Sequence, residues 1–238
     1  MKLDILVFAV HPDDAELSCS GTIIKHLHLG KKVGIVDLTR GELGTRGSAE
    51  IRDVEAANSA KVMGLTVREN LAMRDGFFQN DEDHQKEIIR MLRKYKPEIV
   101  LSNAMEDRHP DHGKAGELIN DSVFLSGLSK IETKNEGEIQ EAWRPRLILQ
   151  YIQDRYIKPD ILVDVTDFWD VKMKSIAAFE TQFFNPDGDE NGTYISAPGF
   201  LQLIDARARD FGRYINTTYA EGFTSRKLLG VDNLFNLS

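Results

Sequence analysis

One cysteine, Cys19, stands in 238 residues, so no intrachain disulfide can form and a reducing compartment, the cytoplasm, is expected. No run of about 18 apolar residues occurs, and no transmembrane helix is expected. The first residues carry no signal-type apolar core, because Lys2 and Asp4 flank Leu3 and the chain enters a strand-like run at once. Positive charge is in short supply. With 30 basic against 38 acidic residues the formal net charge is −8, which argues against a nucleic-acid partner, since that would favour a basic footprint. Also missing is the glycine-rich phosphate loop that a dinucleotide site needs after the first strand. That position holds His11-Pro12-Asp13-Asp14, whose carboxylates would repel a pyrophosphate and attract a cation. Gly41, Gly44 and Gly47 follow the second strand at the wrong spacing and read as loop flexibility. There is no internal repeat or low-complexity tract.

What is present suits one α/β domain over residues 1–238, with 41% hydrophobic and 29% charged residues. Near-continuous apolar runs at 3–10 and 33–38 predict strands buried on both faces. Helices are expected over 16–29, stopped by Gly30, from a cap at Ser48 to about residue 63, and over 81–95, stopped by Pro97. Residues 70–73, 98–102, 147–152 and 161–165 supply further strands. Helices are expected from near Asp111, over 167–181 and over 201–211. The polar stretch 129–144 reads as a flexible crossover, and 185–198 as a loop able to rim a site. Alternating strands and helices imply a Rossmann-like three-layer domain with a mainly parallel sheet.

Two acidic-histidine clusters carry the chemistry: His11-Pro12-Asp13-Asp14 after one strand and His109-Pro110-Asp111-His112 after another. In an open parallel sheet the loops leaving the carboxyl ends of strands form the ligand crevice, so distant clusters can meet there. His11 and Asp14 lie three residues apart across a strand-to-helix turn, and His112 would join them. Two histidines and one aspartate are the ligand set of a catalytic zinc site with a position left for water. Asp13 is then free to act as general base. His109 could polarise a carbonyl oxygen or protonate a leaving nitrogen, and Asp111 could orient that imidazole and hold it cationic. Arg52 could grip a substrate carboxylate. His26, His28 and His84 read as surface residues, and Cys19 as core.

These stretches resemble a known family. The strand into Ala9-Val10-His11-Pro12-Asp13-Asp14, then Gly21-Thr22-Ile23 and residues 37–47, followed by Glu50-Ile51-Arg52 and His109-Pro110-Asp111-His112, look like the PIG-L/LmbE-like N-acetylglucosamine deacetylases. The likeness is dense over residues 3–125 and resumes at Tyr219-Ala220-Glu221-Gly222-Phe223. Glu106-Asp107-Arg108, that late stretch and Ser225 make the chain most similar to the bacillithiol-biosynthesis deacetylases. The resemblance implies zinc, or iron, on His11, Asp14 and His112, Asp13 as base and His109 near the oxyanion. It also implies N-acetylglucosaminyl-malate as substrate, with Arg52 on the malate carboxylate, and a homo-oligomer of hexameric type. Two departures stand out. Relatives of the mycothiol branch carry a tyrosine where Asp107 stands, and the late-loop tyrosine aligns with Phe200, with Tyr194 nearby.

Other readings of the same residues are a deacetylase of another N-acetylglucosamine conjugate (glycolipid, inositol or chitooligosaccharide type) and a non-haem iron oxygenase, whose facial triad has the same donors. A sugar-binding module with a structural metal is disfavoured, because structural zinc is closed by four protein ligands.

Overall fold

The computed structural model describes residues 1–183 and 192–236. The chain runs β1 (Ile5–Ala9), α1 (Asp14–His28), β2 (Val33–Thr39), α2 (Ala49–Met63), β3 (Val67–Met73), α3 (Glu82–Tyr95), β4 (Ile99–Ser102) and α4 (Pro110–Leu125). After a small hairpin, β5 (Lys134–Asn135) and β6 (Glu138–Ile139), come β7 (Leu147–Tyr151), β8 (Ile161–Asp164), α5 (Trp169–Ala177), α6 (Phe200–Tyr214) and β9 (Ala220–Thr224).

Seven strands form the main sheet in the order β3-β2-β1-β4-β7-β9-β8. The first five are parallel, while β9 runs antiparallel to both β7 and β8. β1 is buried along its whole length, and its side chains alternate between two cores. Leu6, Phe8 and Val10 pack with Ile88, Leu92, Leu118 and Ile119 of α3 and α4. Ile5, Val7 and Ala9 pack with Cys19 and Ile23 of α1. Helices therefore cover both faces, giving the expected single α/β domain. A third cluster, built on Trp169, Phe179, Phe200 and Ile204, joins α5 and α6.

The strand order positions the site. β1 lies between β2 and β4, so the chain leaves it toward one side through α1 and returns on the other through α3. Loops that part at such a switch point open a crevice at the strand ends. Ile5 pairs with Ile99 and Val7 with Leu101, so the loops after β1 and β4 emerge side by side.

Four expectations need correction. β3 begins at Val67, ahead of the expected residue 70, because its polar residues work inside: Arg68 reaches Asp37 and Glu16, and Asn70 reaches the Thr39 carbonyl. The 129–144 segment is no free crossover. It holds the β5–β6 hairpin, and Arg93 donates to the carbonyls of Leu128 and Ile131. The helix expected over 167–181 is α5 alone, preceded by a 3-10 turn at Thr166–Phe168. Residues 220–224, read only as a motif, form β9, whose Glu and Gly weaken any strand signature. Of the loop expected over 185–198, residues 185–191 lie outside the described residues.

Candidate metal-dependent active site

The first cluster occupies the β1–α1 turn. Asp13 stands at the N-cap of α1 with φ 127°, a backbone region L-residues seldom enter, and its side chain makes no capping bond. It turns instead to Arg52, whose Nη2 donates to Asp13 Oδ2 at 2.9 Å. The second cluster opens α4, with His109 as N-cap, accepting at Nδ1 from the Asp111 amide, and Pro110 in the first turn.

These turns bring the three expected ligands together. Asp14 Oδ2 lies 3.6 Å from His11 Nδ1, and Asp14 Oδ1 lies 3.2 Å from His112 Nε2. Donor atoms of His11, His109 and His112 all fall within 4.8 Å of one another. The outward nitrogen of each candidate histidine ligand is held by a second carboxylate. His11 Nε2 contacts Asp75 Oδ1 at 3.0 Å, and His112 Nδ1 contacts Asp107 Oδ2 at 2.5 Å. Such partners fix ring orientation and raise ligand basicity. Asp14 is oriented by Asn103 Nδ2 on one oxygen, at 3.1 Å, and Gln153 Nε2 on the other, at 3.0 Å.

The field around these groups calls for a cation. Burial disfavours the charged form of His11 most strongly, yet hydrogen bonds and charge from Asp14 and Asp75 outweigh it and hold its pKa up at about 10. His112 is likewise pushed down by burial but lifted further, by Asp14 and Asp107, to about 9. Burial pushes Asp14 upward, and the imidazoles of His112 and His11 override it and hold its carboxyl well below the usual range. A site that binds protons this firmly on two imidazoles has the charge and donor set for a divalent metal in their place. A second donor group, His11 with Asp75 and Asp111, also lies within 4.8 Å. It suits a metal less well, because Lys114 Nζ sits 2.8 Å from Asp111 Oδ1 and already supplies a positive charge.

Asp13 is only 4% exposed, and burial raises its pKa to about 7 against the lowering charge of Arg52. It is poised to exchange a proton near neutrality. His109 stacks on His112 with ring centroids 5.1 Å apart, and burial followed by the charges of His11 and His112 lowers its pKa. With Nδ1 accepting from the main chain, its neutral ring carries the proton on Nε2.

Two expected roles change. The Asp111 carboxylate does not orient His109, and its charge, which favours the imidazolium, is outweighed by burial and by the charges of His11 and His112. It accepts from the Gly76 amide and pairs with Lys114, and the hydrogen bond between Asp111 and His109 runs through the Asp111 amide. Arg52 is not a free clamp for a substrate carboxylate. It lines the cavity, but its guanidinium is engaged by Asp13 and by the carbonyls of Pro12 and Gly41, and it is 5% exposed.

Sequence reasoning missed Asp75, Asn103 and Gln153, and it read Asp107 as part of a branch motif and as a lost tyrosine, not as a partner of His112. Asp75 and Asp107 are aspartates beside turns, and their meeting with His11 and His112 has no local signature. Asn103, directly after β4, was the one detectable signal, a polar residue at a strand end facing the crevice.

The centre opens into a cavity of about 450 Å³. Beyond the ligands, its wall includes Arg108, Asp154, Tyr194, Phe200, Ile204 and Arg207. Tyr194 donates to Asp154 at 2.9 Å beneath the Arg108 guanidinium, which lies 4.2 Å from its ring. Among the described residues no helix is long and apolar enough to cross a membrane.

Comparison with known proteins finds relatives among deacetylases. Residues 6–123 match the PIG-L family model, described as GlcNAc-PI de-N-acetylase. The chain is 30% identical over 229 residues to a diacetylchitobiose deacetylase of Thermococcus kodakarensis, covering 92% of this chain and 81% of that one. It is 27% identical over 202 residues to a Bacillus subtilis protein named "Probable N-acetyl-alpha-D-glucosaminyl L-malate deacetylase 2", covering 76% of this chain and 84% of that one. In structure it resembles the conserved protein TT1542 of Thermus thermophilus, with TM-score 0.86, 33% identity, and coverage of 97% and 98% of the two chains.

Proposed function

Because the chain belongs to the PIG-L family of de-N-acetylases, we propose that it is a zinc-dependent hydrolase, one catalytic domain over residues 1–238, removing acetate from an N-acetylglucosamine-type substrate. The observation that carries the reading is a buried carboxylate, Asp13, held by Arg52 and lining the same cavity as the convergent donors of His11, Asp14 and His112. When bound there, zinc supplies Lewis acidity, drawing the pKa of a nearby water toward ~7 and polarising the amide carbonyl. Asp13 takes the proton of the attacking water. Arg52 keeps it oriented and offsets the charge it would otherwise carry alone in a buried place. His109 presents its Nε2 proton to the carbonyl oxygen as negative charge develops there. Asp13 then returns its proton to the departing nitrogen, giving acetate and a free amine.

The malate conjugate expected from the bacillithiol resemblance loses its main support with Arg52 engaged inside the protein. The longer and more identical match is to a diacetylchitobiose deacetylase. We therefore favour a neutral N-acetylglucosamine oligosaccharide as substrate. A malate conjugate is the second reading, favoured by Arg207, which lines the cavity and, among its described contacts, donates to the Asp154 carbonyl. None of the relatives named above lends support to the iron-oxygenase reading.

The test is acetate release from diacetylchitobiose, N-acetylglucosamine and N-acetylglucosaminyl-malate by zinc-loaded and chelated protein. Zinc-dependent release from diacetylchitobiose is the expected result. No release from any of the three with stoichiometric zinc present would overturn the proposal.

A further inference from the structure

Behind Leu17 and Ser18, which line the cavity, a buried ion pair acts on the second turn of α1. Lys172 of α5 and Glu221 of β9 meet at 2.7 Å, 1% and 4% exposed. Glu221 accepts from the amides of Gly21, at 2.9 Å, and Thr22, at 2.7 Å. Lys172 donates to the carbonyls of Glu16, at 3.1 Å, and Leu17, at 3.0 Å. In an uninterrupted α-helix the amide of residue 21 would bond the carbonyl of residue 17. Here the acid also accepts from that amide and the amine also donates to that carbonyl, so the pair grips the helix at both ends of one backbone step. Gly21 makes the approach possible: a Cβ there would lie 2.8 Å from Val165 Cβ and 3.0 Å from Glu221 Oε1.

This contact leads straight to the candidate metal loop. Leu17, held at its carbonyl by Lys172, donates its amide to the Asp13 carbonyl at 3.0 Å. Asp14 opens the same turn, and its amide donates to the His11 carbonyl at 3.2 Å. A buried ion pair adds little stability over an apolar pair of similar volume, so stability alone gives no reason for one here. Four hydrogen bonds to one helix, two at each pole, do fix the position of that helix.

We propose that Lys172 and Glu221 are positioning residues: a splint on α1 that sets its first turn, and with it Asp13 and Asp14, against the metal-binding loops. The inference rests on the metal-centre reading above. Zinc affinity is measured by competition with a chromophoric chelator on metal-free protein whose fold is checked by circular dichroism. Lys172→Met/Glu221→Gln, which leaves no lone buried charge, is expected to weaken zinc binding about 10- to 100-fold, the range for loss of ligand-supporting contacts. Gly21→Ala keeps both charges but forces Glu221 and Val165 away from α1, and it is expected to weaken zinc in the same direction. Arg93→Met serves as the stability control. It removes a buried guanidinium that holds the carbonyls of Ser126, Leu128 and Ile131 outside the cavity wall, and wild-type zinc affinity is expected. Wild-type affinity in the folded double variant or in Gly21→Ala overturns the splint, as does equal weakening in Arg93→Met. Failure of the wild-type protein to bind zinc overturns the metal-centre reading itself.

Discussion

Replacing Asp13 by asparagine separates its chemical role from its structural one. Asparagine keeps the shape, tolerates the unusual backbone at φ 127° better than most residues, and can still accept from Arg52 through its amide oxygen. What it loses is the negative charge opposite Arg52 and, with it, the ability to take a proton from water. General-base assistance is worth about 10²- to 10⁴-fold, which at 1.36 kcal/mol per decade is roughly 3–5 kcal/mol of barrier. Alanine is the less informative choice. It would strand Arg52, 5% exposed, with only main-chain carbonyls, and removing one partner of a buried ion pair costs about 3–5 kcal/mol of stability. The assay is steady-state acetate release with zinc content and urea-unfolding stability measured on the same samples. We expect kcat to fall by about 10²- to 10⁴-fold with zinc stoichiometry unchanged. Turnover within about tenfold of wild type at equal zinc would refute Asp13 as the base, since so small a loss lies below the general-base range.

Other consequences are as direct. His112→Ala is expected to lose zinc, so stoichiometric metal after gel filtration would remove it from the ligand set. Asp107→Asn takes the charge from the partner of His112 Nδ1 and is expected to weaken zinc about 10- to 100-fold by chelator competition, with no change if the contact is incidental. Burial raises the Asp13 pKa to about 7 and Arg52 lowers it, so Arg52→Met is expected to push it higher. The acid limb of kcat/KM should then move to higher pH, with diacetylchitobiose as well as with a malate conjugate. An effect confined to KM for the malate substrate would restore Arg52 to the substrate-clamp role.

The parts of the fold readable in sequence were those set by local pattern. Residues 5–9, apolar without a break, match a strand covered on both faces, and Ser48 and Pro97 mark helix ends by their own chemistry. The meeting of His11 with His112 was inferable because parallel strands deliver their following loops to one edge. What stayed hidden is set by side-chain pairing across long sequence distances. Arg52 invited a substrate role because its partner Asp13 lies 39 positions away. Asp75 finds His11 64 positions away through a turn with no motif of its own. Asp111 shares a tetrapeptide with His109, yet a neighbouring helix residue, Lys114, and the Gly76 amide take its oxygens. Adjacency in sequence was mistaken there for adjacency of function.

The late strand β9 has a consequence for how the protein is made. It is threaded between β7 and β8 after both have been synthesised, and it brings Glu221 to a helix that began at residue 14. A nascent chain halted before residue 221 already holds every candidate ligand but not the acid that clasps α1. On the splint proposed above, the loops that carry the candidate ligands settle only once β9 has been made, and a translation product cut short before it would be a nearly whole sheet with a slack centre.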